Sequence, residues 1–279
     1  MPSTIDHAVT PADLTTDDCS LPDGRTLAYA TAGDPHGTSV LVHHGTPGSR
    51  LFAALLSEAA RDVGVRLVVP DRPGYGRSSP PPDGWTWTDW RADCDALLAA
   101  ESIDRAGSLG FSGGGPFALA TAASDRTARV GLVSALVPPL EGDLATLARI
   151  PYAIRVVFRL TDVVARVTGP GVVLDQYTER DVDDNVAAAV AADFHEALRQ
   201  GAQAPARENR LFTTTDVDMS PPSIPIRAWH GTHDENTPLN PLRTFVRKAD
   251  GRVLTHDADH LGTLLDARRD ALAWLADAG

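Results

Sequence analysis

One hydroxyl stands among glycines in "GFSGGGP", Gly110 to Pro116, a stretch too permissive for an ordinary strand or the interior of a helix. An apolar run ends at Ser112 and a helical pattern follows, with Pro116 in the first turn, where a missing N–H costs nothing. Ser112 therefore falls on a sharp strand-to-helix turn. Such a turn forces strained angles on its apex residue, and Gly110 and Gly114 leave room where side chains would collide. Gly-x-Ser-x-Gly in this setting is the pattern of an exposed nucleophile; the plainer alternative is a glycine-rich turn with a solvated serine. A serine hydroxyl attacks only when a base takes its proton and a third group orients that base. Both occur downstream, Asp234 in "THDENTP" and His260 in "HDADHLG", each just past an apolar run.

Other side chains compete for these roles. Glu235 adjoins Asp234, and His256 precedes His260 but lies inside the last expected strand, away from any sheet edge. His43 and His44 precede "GTPGS" and are expected to brace that loop by hydrogen bonds, whereas His7 and His195 are expected at the surface. "WHGTHDE" sets His230, His233 and Asp234 at a spacing that metal sites can use, but the stretch reads as a strand end running into a loop. We expect no metal and no other cofactor.

The elements that must position these residues follow from hydropathy. Runs beginning at Ser39, Val65, Gly107, Val130, Ile224 and Arg252 read as strands, and most are apolar almost throughout, as parallel strands covered on both faces are. Between them Trp90, Cys94, Leu97 and Leu98 share one helix face, and Leu261, Leu264, Leu265, Leu272 and Leu275 another. Repeated strand-helix units give an α/β fold with a mostly parallel sheet and helices on both faces. "PDGRTLAYAT" differs: Asp23-Gly24 is a hairpin signal, so an antiparallel edge is expected there. From Pro138 to Pro222 the rhythm breaks, with helical patterns over 143–167 and 181–200 between proline clusters. We expect residues 1–137 and 223–279 to form the core and 138–222 a helical insertion, in which Val182, Val186, Val190 and Phe194 make one apolar stripe.

Composition narrows the partners. The 279 residues carry a net charge of −12 with Lys and Arg scattered, which disfavours nucleic acid and anionic membranes. No apolar run approaches the roughly 18 residues of a membrane span, and the first twenty residues lack the basic start and apolar core of a signal peptide. Cys19 and Cys94 are far apart, which fits a reduced protein. The expectation is a soluble, cytoplasmic protein acting on a small molecule.

From Asp23 onward the chain resembles the alpha/beta-hydrolase superfamily, on "GFSGG", on the order Ser112, Asp234, His260, and on "HHGTPGS", similar to the family's HGxP loop. The resemblance implies Ser112 as nucleophile, Asp234 as acid and His260 as base. It also implies an oxyanion hole made by the backbone N–H groups of Thr46 and Gly113, and a helical cap in the insertion. "DRPGYGRS", Asp71 to Ser78, resembles a loop that the family places after its next strand, read here as scaffolding beside the site. The implied activity is a serine hydrolase cleaving an ester-like acyl bond through an acyl-enzyme. A serine at the elbow argues against relatives that use aspartate there, the haloalkane dehalogenases and epoxide hydrolases. Proline iminopeptidases resemble it only in part, because their loop usually has a second glycine where Thr46 stands. Thioesterase, lactonase, carbon-carbon bond hydrolase, cofactor-free lyase or perhydrolase chemistry uses the same constellation, and a non-catalytic small-molecule receptor on the same fold is the alternative of another class.

Overall fold

The computed structural model describes residues 14–139, 153–169, 171–213 and 223–277. Its strands are β1 (Thr15–Ser20), β2 (Thr26–Gly33), β3 (Thr38–His43), β4 (Val65–Pro70), β5 (Ala106–Phe111), β6 (Thr127–Val133), β7 (Ile226–Gly231) and β8 (Arg252–His256). They form one sheet in the order β1-β2-β4-β3-β5-β6-β7-β8. From β4 to β8 every pairing is parallel, while β2 runs antiparallel to both β1 and β4. The antiparallel edge expected from Asp23-Gly24 is thus present, and Gly24 sits at φ +85°, open to glycine and costly for other residues.

The apolar runs have the physical origin expected of them. Val40 and Val42 of β3 enter one core cluster while Leu41 enters another, and in β4 Leu67 and Val69 part from Val68 in the same way. Successive side chains thus point to opposite faces, and both faces are covered. Helices α1 (Ser57–Asp62) and α9 (His260–Ala276) cover one face, with Leu261, Leu264, Leu272 and Leu275 buried. Helices α2 (Trp87–Ala100), α3 (Gly115–Thr121) and α8 (Leu239–Lys248) cover the other, with Trp90, Cys94, Leu97 and Leu98 buried.

Between β6 and β7 the described residues are helical: α4 (Ala153–Thr168), the single turn α5 (Gly171–Leu174), α6 (Asp184–Ala197) and α7 (Gln203–Leu211). The reading of 143–167 and 181–200 found α6 and most of α4, with 143–152 outside the described residues, but α7 was missed. Pro205 and the polar "RENR" hid it, since a proline is harmless in a first turn yet reads as a breaker in a sequence. Val186, Val190 and Phe194 are buried as their stripe demands. No helix among the described residues is long and apolar enough to cross a membrane.

Candidate active site

The chain steps from β3 to β4 on one side and then returns to place β5 on the other side of β3. Loops leaving the C-terminal ends of β3 and β5 therefore diverge and open a crevice, the usual ligand position in such a sheet. Gly45 and Thr46 follow β3, and Ser112 follows β5. Ser112 holds φ at +53°, in the left-handed region that side chains avoid. The close packing around it explains the glycines. A Cβ on Gly114 would lie 2.1 Å from the His43 carbonyl oxygen, and one on Gly110 would lie 2.7 Å from the Gly114 carbonyl oxygen. The Ser112 carbonyl accepts a hydrogen bond from Leu136 N at 2.9 Å, which ties the elbow to the loop after β6.

Gly113 touches Thr46 directly. A Cβ on Gly113 would lie 3.2 Å from Thr46 N and 2.3 Å from its Oγ1. The Thr46–Pro47 peptide is cis, and among the described residues the Thr46 N–H donates to no protein atom. Gly45, Thr46, Ser112, Phe111, Tyr177 and Asp193 are among the residues lining one cavity. Its other walls are mostly apolar, from Phe52, Leu55, Val190, Phe194 and Leu261.

Asp234 follows β7, and His260 opens α9 beyond β8. His260 Nδ1 lies 2.8 Å and 3.0 Å from the two Asp234 oxygens. The carboxylate also accepts from Thr237 N, Thr237 Oγ1 and Asn236 N. Burial raises the carboxyl, but the His260 hydrogen bond and charge, with the other donors, outweigh it and hold its pKa at about 2. His260 is 1 % exposed, and its Nε2 is buried with no partner among the described residues. Its ring is flanked by Phe111 at 4.9 Å and Tyr177 at 6.1 Å, two walls of the cavity that Ser112 lines. Asp259 caps α9 through Gly262 N and accepts from Thr178 Oγ1, and Tyr177 O accepts from Leu261 N. The segment leading to α6 is thereby fastened to the turn that carries His260.

The competing residues lie elsewhere. Glu235 is exposed on a polar cleft with His233 and Asp257, and His233 pairs with Asp257 at 2.8 Å. His230 is buried against Thr237 and does not meet His233, so the metal spacing read in "WHGTHDE" does not converge. Among the described residues no group of three or more His, Cys, Asp or Glu could hold a metal ion. His256 stays in β8. His44 braces its loop as expected, with Nδ1 donating to Gly45 O at 2.8 Å and Nε2 accepting from Arg72 N. His43 instead reaches back to Ser108 of β5. Burial first, then the Arg72 charge, pushes both imidazoles well below their usual pKa, so they stand neutral. His7 lies outside the described residues. His195 corrects its expectation: it is half-buried and pairs with Asp162 at 2.8 Å, because α6 turns it toward α4.

Two groups escaped the sequence reading. Glu208 of α7 is fully buried and accepts from Arg72 Nε at 2.7 Å, from Tyr75 OH at 2.7 Å and from Thr46 Oγ1 at 2.7 Å, while Arg72 also donates to Gly45 O at 2.9 Å. "DRPGYGRS" is thus scaffolding that grips the Thr46 loop, completed by a carboxylate distant in sequence. Asp193 of α6 is 8 % exposed on the cavity wall, and its place three after Val190, on the apolar stripe, was a usable signal.

Residues 38–163 match the family model described as alpha/beta hydrolase fold. The chain has the alpha/beta hydrolase fold. Among solved alpha/beta hydrolases, a fold protein from Nakamurella multipartita superposes with a TM-score of 0.70 at 20 % identity, over 95 % of this chain and 100 % of that one. The enol-lactonase from Burkholderia xenovorans LB400 gives 0.68 at 21 %, over 94 % and 99 %. Among curated relatives, a non-heme chloroperoxidase from Streptomyces lividans is 36 % identical over 126 residues, 42 % of this chain and 44 % of that protein. A proline iminopeptidase from Xanthomonas citri is 35 % identical over 116 residues, 40 % of this chain and 36 % of that protein. The matched stretch spans less than half the length of either curated relative.

Proposed function

We propose that the protein is a serine hydrolase that cleaves an ester-like acyl bond of a small molecule. The observation that carries this reading is His260, bonded through Nδ1 to Asp234 at 2.8 Å and left with an unpartnered, buried Nε2 beside the cavity of Ser112. A hydrogen bond from Nδ1 fixes the tautomer in which Nε2 is the basic nitrogen. His260 Nε2 takes the Ser112 proton as Oγ attacks the substrate carbonyl, and Asp234 stabilises the imidazolium. The Thr46 and Gly113 N–H groups stabilise the oxyanion; the fit of Gly113 against Thr46 supports that pairing. The bond to the leaving alcohol breaks as His260 returns the proton, and water then attacks the acyl-enzyme to release the acid. No step draws on a metal or cofactor. Residues 138–222 serve as the cap, since α6 and the Tyr177 turn supply walls of the cavity. Free, buried Cys19 and Cys94 support a reducing, cytoplasmic setting.

Mixing enzyme with excess p-nitrophenyl butyrate should release a burst of about one p-nitrophenolate per active site whenever deacylation limits turnover. At acid quench, the peptide bearing Ser112 should carry the butyryl mass. Turnover that persists in Ser112→Ala, with no acylated peptide in wild type, would refute the assignment.

A further inference from the structure

The cavity beside Ser112 contains one carboxyl group that the proposed mechanism does not use. Asp193 lies on α6, buried among Val190, Phe194 and the oxyanion-loop segment. Its Oδ1 is held twice, by Ser49 N and Ser49 Oγ, each at 2.7 Å. Ser49 in turn caps the short 3-10 turn Arg50–Leu55, so the carboxyl is fixed from two elements. Oδ2 accepts no hydrogen bond from the described residues. Burial is the main cause that raises the carboxyl to about 7, with the Asp71 charge adding, while the Ser49 hydrogen bonds and Arg72 oppose it. With Oδ1 engaged by Ser49, Oδ2 is the oxygen left to meet a donor on a molecule in the cavity that Asp193 lines.

We propose that Asp193 is a specificity-determining residue, its Oδ2 accepting a hydrogen bond from a hydroxyl on the acyl chain, so that the substrates are esters of hydroxylated short-chain acids. This rests on the serine hydrolase reading above. The count of donors favours a hydroxyl over an ammonium group. The cavity that Asp193 lines is walled mostly by Phe52, Leu55, Val190, Phe194 and Leu261, its other polar side chains are hydroxyls such as those of Tyr177 and Ser112, and the Gly45 carbonyl is already occupied by Arg72 and His44. An ammonium would bring three donors and a charge into this mostly apolar space, whereas a hydroxyl brings one donor. Acids carrying a second carboxylate are disfavoured by charge.

The test compares phenyl esters of straight-chain four- and five-carbon acids bearing a hydroxyl, keto or amino group at carbon 2, 3 or 4, each beside its unsubstituted parent, at pH 8. In wild type the best hydroxy ester should exceed its parent in kcat/KM by about tenfold or more, and its keto counterpart by a larger factor. Asp193→Asn keeps an oxygen for Ser49 but can present an N–H2 where Oδ2 stood. The hydroxy-to-keto ratio should then fall by about tenfold or more, whereas a purely structural role would lower all esters together. Fluorophosphonate titration of Ser112 in both proteins separates the two levels. Intact titration with an unchanged hydroxy-to-keto ratio overturns the proposal and leaves the hydrolase reading standing. A wild type that prefers the amino ester, or ignores the substituent, overturns it without any variant. No titration and no turnover of any ester in wild type would remove the hydrolase reading and the proposal with it.

Discussion

Ser112 keeps φ at +53°, a conformation that costs a non-glycine residue on the order of 1–3 kcal/mol, and its neighbours are packed too closely to let it relax. The strain, the adjacent Thr46 N–H and the cavity all meet at one hydroxyl. His260 and Asp234 complete the proposed constellation, and Asp234 rather than Glu235 holds the imidazole because only its carboxylate is buried among donors. Asp234→Asn should therefore keep the fold and lower kcat by roughly 10³ to 10⁴, while Glu235→Gln should change it by less than about tenfold. Steady-state kinetics on a phenyl ester measures both, and the reverse ranking would transfer the role to Glu235. At this scale motif and chain order were enough to single out Ser112, Asp234, His260, Thr46 and Gly113 as candidates, and the contact of His260 with Asp234 and of Gly113 with Thr46 is what the structure adds. Glu208 carried no such signal and Asp193 only its place on the apolar stripe of α6, because an acid on a helix meets its partners, here Arg72 and Ser49, only when distant loops bring them to it.

Helix α7 contributes more than a wall. Glu208 joins it to the loop after β4 through Arg72 and Tyr75, all three fully buried, and to the loop after β3 through the half-buried Thr46. The T-shaped contact of His44 with Tyr75 and the Arg72 guanidinium over Phe117 extend that packing toward the elbow helix α3. Removing one member of a buried ion pair leaves the other charge unpaired, so Glu208→Ala should cost about 3–5 kcal/mol. The joint replacement Arg72→Met with Glu208→Leu should recover most of that loss, since two apolar side chains need no partners. Urea unfolding of wild type, the two single variants and the double variant measures this coupling; additive losses would show that the pair does not act as a unit. Strands β3 to β7 and helices α2 and α9 were legible from hydropathy because burial writes an apolar run or stripe, whereas β1, exposed at most of its positions, carries none. Helix α7 was not, because it faces the core through Ala204, Pro205 and Ala206, which carry little hydropathy signal, and pays for Glu208 with partners outside itself.

Across the whole molecule, the reversal of sheet order between β3 and β5 sets the candidate site at the C-terminal ends of the parallel strands, and α6 and the Tyr177 turn supply walls of its cavity. The parallel sheet was readable. The partners across the crevice were not, since contacts such as Ser49 with Asp193 join residues 144 positions apart and no local pattern encodes them. If the elbow serine, the base and the oxyanion donors work together, a fluorophosphonate reports all three at once. It reacts rapidly only with a serine that a base has activated and whose phosphoryl oxygen the backbone donors can hold. Mass spectrometry of wild type should show one adduct, on Ser112, with none in Ser112→Ala, a much slower rate in His260→Ala and no effect of a chelator. An adduct on another residue, or equal rates in wild type and His260→Ala, would contradict the account.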